Sequence, residues 1–278
     1  MAAGRGTGLS SVGAAASPGG RVARSLPTLT AYLLHRYDWS ESSVIIDLFT
    51  REQGRVVVVA KGAKRPYSQL RSVLLPFQRV HVALARAPRG EEYAGEVRTL
   101  RSAEWAGGIG MLSGAALFNG FYLNELLLKL LARQDPHLQL FDAYAQTVQT
   151  LASASDRAAQ AALRAFELTL LQEIGLLPDL SVTTPDLAAL IPGGRYTLQP
   201  ERGVDAWRVE AEGEPVLSGA ALIGLQAALE HGSLEALQQA CSGVLPALKN
   251  VLRGLLHYHL GGASLRTRQV MMDLLAFD

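Results

Sequence analysis

Basic residues are concentrated in one stretch of the sequence, residues 50–89, which holds nine of them against the single acid Glu52. Inside this stretch an apolar run, residues 56–60, passes directly into a cationic turn around Gly62. Phosphate binding needs positive charge and backbone N–H donors rather than an acid–base pair, and glycine lets a backbone approach a ligand closely. These residue types at this spacing therefore indicate a surface that binds nucleic acid.

Further cations and aromatic rings extend this surface beyond the turn. A base that stacks on an exposed ring gains about 1–3 kcal/mol. For Tyr37 and Trp39 the alternative is that they cap the fold or pack against the second half of the chain. The nucleic-acid contacts that we predict are Arg36, Arg55, Lys61, Lys64, Arg65, Tyr67 and Arg71.

An enzymatic site does not assemble from the sequence. It lacks a GxxxxGK[ST] phosphate loop and a G-x-S-x-G motif, and no nucleophile, base and orienting group can be combined. Cys241 is the only cysteine, which excludes an intrachain disulfide and a cysteine-rich zinc site. It is expected at the start of a helix, where a thiol pKa can be lowered, although a packing role is favoured. We predict no catalytic residue, no metal and no cofactor, and we class the chain as not an enzyme.

Charge is divided unequally along the 278 residues of the chain. Residues 1–100 carry a net charge of +7 and residues 101–278 a net charge of −6, which suggests a polyanion-binding half and an acidic structural or regulatory half. Residues 1–27 are rich in Gly, Ala and Ser and contain no acid, and we interpret them as a disordered basic tail. No apolar run approaches the roughly 18 residues that a membrane span requires. We expect no membrane contact and a reducing cytoplasm.

Five short strands would position the basic turn. Gly54 suits a positive φ angle in the turn before the third strand, and residues 37–41 are predicted to form a polar, aromatic loop. Five strands at this spacing favour a small barrel of the OB type over residues 28–104, a fold that commonly binds single strands. Alternation and turn residues predict the strands at residues 29–35, 43–50, 55–60, 78–85 and 93–100.

A helical period replaces the strand period in residues 105–278. Residues 178–216 interrupt it with a small insert, for which we predict a hairpin of residues 195–198 and 207–211. The fold class is therefore α+β, an N-terminal five-stranded OB-fold barrel followed by a mostly helical domain. The predicted helices cover residues 111–131, 136–152, 157–174, 219–230 (capped by Ser218), 233–240, 242–259 and 265–276.

Motifs in both halves resemble the bacterial recombination mediator family RecO. In the first half they are residues 36–43 (RYDWSESS), 47–50 (DLFT) and 59–65 (VAKGAKR). In the second half they are residues 122–126 (YLNEL), 164–168 (RAFEL) and 265–268 (LRTR). The similarity extends over about residues 29–275, and the order and spacing of the motifs together are specific.

The resemblance implies binding to single- and double-stranded DNA, annealing of complementary strands, and joint action with RecR and, indirectly, RecA in the repair of gaps and breaks. It also implies docking on the acidic C-terminal tail of single-stranded DNA-binding protein, at positions that Arg164 and Leu168 match. An Arg beside an apolar groove suits a tail that ends in a carboxylate and an aromatic ring. The alternative for Arg164 is a salt bridge on the helix surface. A protein with this role is expected in the cytoplasm, associated with the nucleoid.

One departure from the family concerns zinc. Many members carry a four-cysteine zinc module after the third helix, whereas residues 178–203 of this chain contain no cysteine. We therefore expect the insert to be held by packing, without zinc. Two alternatives to a DNA mediator remain open, an interaction adaptor whose basic face docks an acidic partner and an RNA-binding OB barrel.

Overall fold

The structure is a computed structural model that describes residues 27–85, 97–108, 110–208 and 213–275. The predicted disordered tail, apart from residue 27, lies outside the described residues. So do Arg86 and Arg89 of the basic stretch and the first half of the predicted fifth strand.

Five strands close into a barrel in the order β1-β2-β3-β5-β4. β3 and β5 are parallel and the other neighbours are antiparallel. This closed five-stranded barrel confirms the predicted OB-type fold. The strands are β1 (Thr28–Asp38), β2 (Val44–Thr50), β3 (Gly54–Ala60), β4 (Gln78–Leu84) and β5 (Val97–Gly108).

Alternation of apolar residues builds the barrel, as the sequence indicates. Val44, Ile46 and Leu48 of β2 point into a core of buried aliphatic side chains. Phe49, on the opposite face of the same strand, packs into a second core that belongs mainly to the helices. β2 is therefore buried on both faces, because the helical part of the chain covers the outside of the barrel there.

Two strands are longer than the sequence indicates. β1 continues to Asp38, so Tyr37 lies in a strand and not in the predicted loop. β5 continues to Gly108 and pairs with β4, where Val80 faces Trp105. The barrel thus ends four residues beyond the expected boundary at residue 104, because the ladder with β4 continues after the alternation of apolar residues has faded.

A short helix, α1 (Gln69–Val73), lies between β3 and β4, where only a basic loop was expected. Seven further helices in the described part of the chain follow the barrel. Ser218 caps α5 as predicted, since its hydroxyl accepts a hydrogen bond from the N–H of Ala221. These helices are α2 (Gly114–Leu130), α3 (Leu138–Ser153), α4 (Asp156–Glu173), α5 (Gly219–His231), α6 (Leu234–Ser242), α7 (Leu245–His259) and α8 (Arg266–Leu275).

The insert between α4 and α5 forms a small sheet of three strands in the order β7-β6-β8. The strands are β6 (Arg195–Gln199), β7 (Gly203–Ala206) and β8 (Leu217–Ser218). The predicted hairpin forms, but its second strand begins at residue 203 and not at 207, because a tight turn after β6 brings residues 203–206 back first. Of the predicted partner, Trp207 still donates its N–H to the carbonyl of Arg195, and residues 209–211 lie outside the described residues. The guanidinium carbon of Arg195 also lies 3.9 Å from the centre of the Trp207 ring.

Among the described residues, no helix is both long and apolar enough to span a membrane.

Candidate nucleic-acid interface and helical cavity

A cleft of about 290 Å³ opens between α1 and the ends of β1 and β2. We call it the barrel cleft. Its apolar lining comes from residues such as Val44 and Leu74, both of which are buried. Its charged lining consists of Arg36, Asp38, Lys64 and Arg71.

Lys64 is tethered within the barrel cleft. Its ammonium group lies 3.0 Å from a carboxylate oxygen of Asp38 and donates a hydrogen bond of 2.8 Å to the carbonyl of Ser40. Its backbone N–H donates to the carbonyl of Ser42. These contacts fix the basic turn against the β1–β2 hairpin. Arg36 and Arg71 are exposed and, within the described part of the chain, form no ion pair, so their charge faces solvent.

The remaining members of the basic turn are exposed beside the cleft. Gly62 adopts φ +74°, and the N–H of Arg65 donates back to its carbonyl, which closes the turn. Lys61 and Arg65 are exposed, and Tyr67 is 99% exposed. The structure thus brings six of the seven predicted nucleic-acid residues to one end of the barrel.

Arg55 is the exception among these predicted contacts. Its Nε donates a 2.9 Å hydrogen bond to the buried carboxylate of Asp47. Its Nη1 donates to the carbonyls of Leu128 and Leu131 at the end of α2. This guanidinium joins the barrel to the helices. Because its charge is paired with Asp47 and its donors bond to carbonyls of the helical part, we remove Arg55 from the candidate surface.

Exposed aromatic rings lie on the same barrel. Trp39, at the tip of the β1–β2 hairpin, is 66% exposed, so it neither caps the barrel nor packs on the helices. Tyr37 is 46% exposed and its ring contacts His35 edge-on. Trp105 on β5 is 64% exposed. The sequence interpretation missed Trp105 because this residue lies beyond the expected end of the fifth strand.

A second and larger cavity, of about 580 Å³, lies between α2, α4, α7 and residues 263–269. We call it the helical cavity. Its apolar lining includes Phe118, Leu163 and Leu256. No Asp or Glu contributes to the lining that the structure describes. The basic residues that line it are Arg164, Lys249, Arg253, His257 and Arg268.

Buried charge supports one wall of the helical cavity. Arg164, 7% exposed, lies 2.6 Å from the carboxylate of the fully buried Glu167, which also accepts a 2.6 Å hydrogen bond from the Tyr122 hydroxyl. Burial raises the pKa of Glu167, although Arg164 and Tyr122 oppose that rise. The Nε of Arg164 is buried and has no hydrogen-bond partner in the described structure. A ligand carboxylate is a chemically suitable partner for such a donor.

Leu168 does not line the helical cavity. It is fully buried in the core, because α4 is enclosed by α3, α6 and α7 beyond the turn that carries Gln160 and Arg164. Four basic residues that the sequence interpretation did not assign to a site do line it, Lys249, Arg253 and His257 on α7 and Arg268 on α8. Lys249, Arg253 and His257 recur every four residues on α7, and this spacing was the signal that could have identified them.

The cysteine of the chain is buried and is not placed as a reactive thiol would be. Cys241 lies at the end of α6 and not at a helix start, and burial raises its pKa to about 12. A thiol with so high a pKa is a poor nucleophile at neutral pH. No group of three or more His, Cys, Asp or Glu side chains suited to a metal is present among the described residues.

Comparison with known proteins identifies relatives of both halves. Residues 26–107 match the family model described as Recombination protein O N terminal, and residues 111–269 match the model described as Recombination protein O C terminal. The chain is 54% identical over 247 residues to DNA repair protein RecO of Polaromonas naphthalenivorans, with 88% of this chain and 96% of the relative covered. It is 52% identical over 249 residues to DNA repair protein RecO of Albidiferax ferrireducens, with 88% and 94% covered. These relatives are named as repair proteins and not as enzymes.

Proposed function

Because this chain belongs to the recombination protein O family, and so has a role in DNA repair and recombination, we propose that it is a non-catalytic mediator that binds single- and double-stranded DNA and anneals complementary strands. It would act on the chromosome, in the cytoplasm at the nucleoid. The observation that carries this proposal is the group of exposed cations at one end of the barrel, Arg36, Lys61, Arg65 and Arg71.

The barrel cleft supports contact with strands of any sequence. Its cations can neutralise phosphates, and its apolar lining can accept part of an unstacked nucleotide. Trp39 and Tyr67 offer exposed rings at the rim on which bases can stack. Two strands held by such cations repel each other less, which favours pairing between them. Lys64 contributes by holding the turn in place rather than as a mobile phosphate ligand.

The helical cavity supports recruitment to coated DNA. Its basic lining around an apolar interior suits a peptide that ends in an aromatic ring and a carboxylate, and the acidic C-terminal tail of single-stranded DNA-binding protein has this chemistry. In the proposed pathway the tail docks beside Arg164, RecR joins the complex, and RecA is loaded indirectly.

A titration with a single-stranded oligonucleotide tests the barrel surface. Removal of three phosphate contacts reduces the slope of log K against log salt by about two units. An unchanged affinity and slope would reject the surface, and preferential binding of RNA or of an acidic protein would favour the alternative functions. The variant replaces Lys61, Arg65 and Arg71 by Ala, and the matched control replaces three exposed basic residues of the helical part, Arg157, Arg195 and Arg202.

Annealing of coated strands tests the recruitment step. Complementary strands are covered with single-stranded DNA-binding protein that either retains or lacks its acidic tail, and the rate of duplex formation is measured. The proposal expects annealing to depend on the tail and to be slowed by Arg164→Ala. Equal rates of duplex formation with and without the tail would reject recruitment through the tail, while leaving the proposed DNA binding untouched.

A further inference from the structure

The wall of the helical cavity formed by residues 263–269 is a separate chain segment that begins after α7. Gly261 and Gly262 have φ angles of +68° and +75° and reverse the chain there. Ala263, Ser264 and Leu265 before α8, and Thr267, Arg268 and Gln269 in its first turn, then line the cavity. The other walls belong to α2, α4 and α7, which are packed around the central core.

A carboxylate on α2 hydrogen-bonds to the start of this wall. One oxygen of Glu125, on α2, accepts a 2.8 Å hydrogen bond from the N–H of Arg266. The other oxygen accepts from the N–H of Thr267 at 2.9 Å and from its hydroxyl at 2.7 Å. Glu125 therefore caps α8 from a distant helix and satisfies N–H groups that a helix start leaves without partners.

The charge of Glu125 is maintained in the folded protein. Partial burial opposes its ionisation, but the hydrogen bonds from Thr267 and Arg266 outweigh burial and hold its pKa below the usual range. Lys129, one turn along α2, lies 3.4 Å from the same carboxylate. The cap is thus an ionised group across the neutral pH range.

The described side chains of α8 provide little other anchorage. Leu265, just before the helix, is 8% exposed and belongs to the core. Within α8, Arg266, Arg268 and Gln269 are exposed, and Val270 is 48% exposed. Among the described side chains of this segment, the groups that bond to the Glu125 carboxylate and the buried Leu265 are therefore the contacts that hold the wall against the cavity.

We propose that Glu125 is a positioning residue for peptide binding, which holds α8 so that Arg268 faces a peptide carboxylate across the cavity from Arg164. This inference rests on the proposed function of the helical cavity. The ligand is a peptide that ends in an apolar ring and a free carboxylate. Without the cap, α8 separates from α2, Arg268 leaves the cavity, and the peptide retains only the contacts of the packed walls.

A double-mutant cycle tests this role. The probe is a fluorescent acidic peptide that ends in a phenylalanine carboxylate, and its affinity is measured for the full chain and for Glu125→Ala, Arg268→Ala and the double variant. Loss of a hydrogen bond to a charged group predicts that each single change weakens binding about tenfold. Because both changes remove the same contact, the double variant should bind about as weakly as Glu125→Ala alone. Additive losses would overturn the positioning role.

Three further measurements separate positioning from general damage. Glu125→Gln, which can still accept hydrogen bonds, should recover part of the affinity. Oligonucleotide binding by the barrel should be unchanged in Glu125→Ala, and bound peptide should slow hydrogen exchange at the start of α8 in the wild type but not in this variant. The matched control is Glu230→Ala on α5, whose carboxylate accepts from Gln226 on the same helix; it should bind peptide normally.

The possible failures of the two proposals are distinguishable. A wild-type chain that does not bind the peptide, or binds a peptide with an amidated end equally well, rejects the function of the helical cavity itself. A wild-type chain that binds the free carboxylate, together with an unchanged Glu125→Ala variant, rejects only the role of Glu125. A global loss of stability in Glu125→Ala that Glu125→Gln does not reverse would also reject it.

Discussion

Arg55 shows at the scale of single residues why charge in a sequence does not identify a binding surface. It lies in the densest basic stretch, at the start of the predicted third strand, and the strand pattern does not show which groups its guanidinium meets. Only the fold shows that its guanidinium donates hydrogen bonds to Asp47 on the neighbouring strand and to a carbonyl at the end of α2. Lys61 and Arg65, in contrast, follow the strand end and remain exposed.

The different roles of these cations predict opposite effects on stability and on binding. Arg55→Ala leaves the buried carboxylate of Asp47 without its partner, so the free energy of unfolding should fall by about 3–5 kcal/mol in a denaturant titration. Lys61→Ala should change it by less than about 0.5 kcal/mol. The folded Arg55 variant should retain the salt slope for oligonucleotide binding, whereas a lost phosphate contact would argue that this guanidinium reaches DNA after all.

Glu167 predicts a pH dependence of peptide binding. Burial raises its pKa, so acidification from neutral pH protonates it earlier than an ordinary carboxyl. Protonation removes the negative charge that competes for Arg164, while the terminal carboxylate of the peptide, with a usual pKa of about 3.5, stays ionised. Peptide affinity should therefore rise as pH falls, and Glu167→Gln should already bind about fivefold more tightly at neutral pH.

His257 must be separated from this effect, because its imidazole lines the same cavity. Lys249 adds a fixed positive charge near Glu167. The titration is therefore carried out in a His257→Asn background by fluorescence anisotropy. If peptide affinity depends on pH in the same way in the His257→Asn variant and in the His257→Asn, Glu167→Gln double variant, then Glu167 is not the group responsible for the pH dependence.

At the scale of elements, short sequence patterns predicted correctly those features that depend only on residues close together in the chain. The alternation in β2, the turn at Gly54 and the Ser218 cap of α5 all occur in the structure as expected. The partner of β6 follows a tight turn and was placed too far along the chain, whereas the C-terminal half of β5 depends on pairing with β4, a distant segment that no short window contains. For the same reason the sequence located the basic turn but not the helical cavity, whose walls come from four separate parts of the chain.

The insert between α4 and α5 predicts independence from zinc. Tyr196, Leu198 and Val204 anchor it in the helical core, and Arg195 lies over the Trp207 ring. A chelator should therefore leave the melting temperature unchanged, and metal analysis should find much less than about one zinc per chain. Trp207→Ala should reduce stability by only about 0.5–1 kcal/mol, the worth of an exposed cation–π contact. Zinc near one equivalent per chain would contradict a packed insert.

At the scale of the whole molecule, the barrel and the helices share one core. Tyr32 and Phe49 of the barrel lie against the rings of Phe141 and Tyr144 on α3, at centroid distances of 5.0–6.1 Å. The buried amide of Asn124 on α2 donates to carbonyls of β1 and accepts from the Tyr144 hydroxyl. Contacts of this kind pack the barrel directly against the helices, so the proposed DNA surface and the helical cavity lie on parts of the molecule that share one core.

This shared core predicts that a change at one barrel glycine unfolds both parts together. Gly54 has φ +65°, and an added Cβ would lie 1.9 Å from the carbonyl oxygen of Asp135, which precedes α3. Gly54→Ala thus combines backbone strain with displacement of the helical part, and should reduce the free energy of unfolding by at least about 2–3 kcal/mol. Tryptophan fluorescence and the helical circular dichroism signal should shift to the same lower denaturant midpoint.

The same substitution at Gly224 provides the control. This exposed glycine of α5 has open space around its Cβ position, so Gly224→Ala should stabilise the protein by about 0.5–1 kcal/mol through helix propensity. Two separated transitions in Gly54→Ala, with the helical signal unshifted, would mean that the parts unfold independently. A coincident shift of the two midpoints would instead mean that the barrel and the helices unfold together. A peptide bound in the helical cavity should then stabilise the barrel as well, because a ligand of the native state stabilises every part that unfolds with its site.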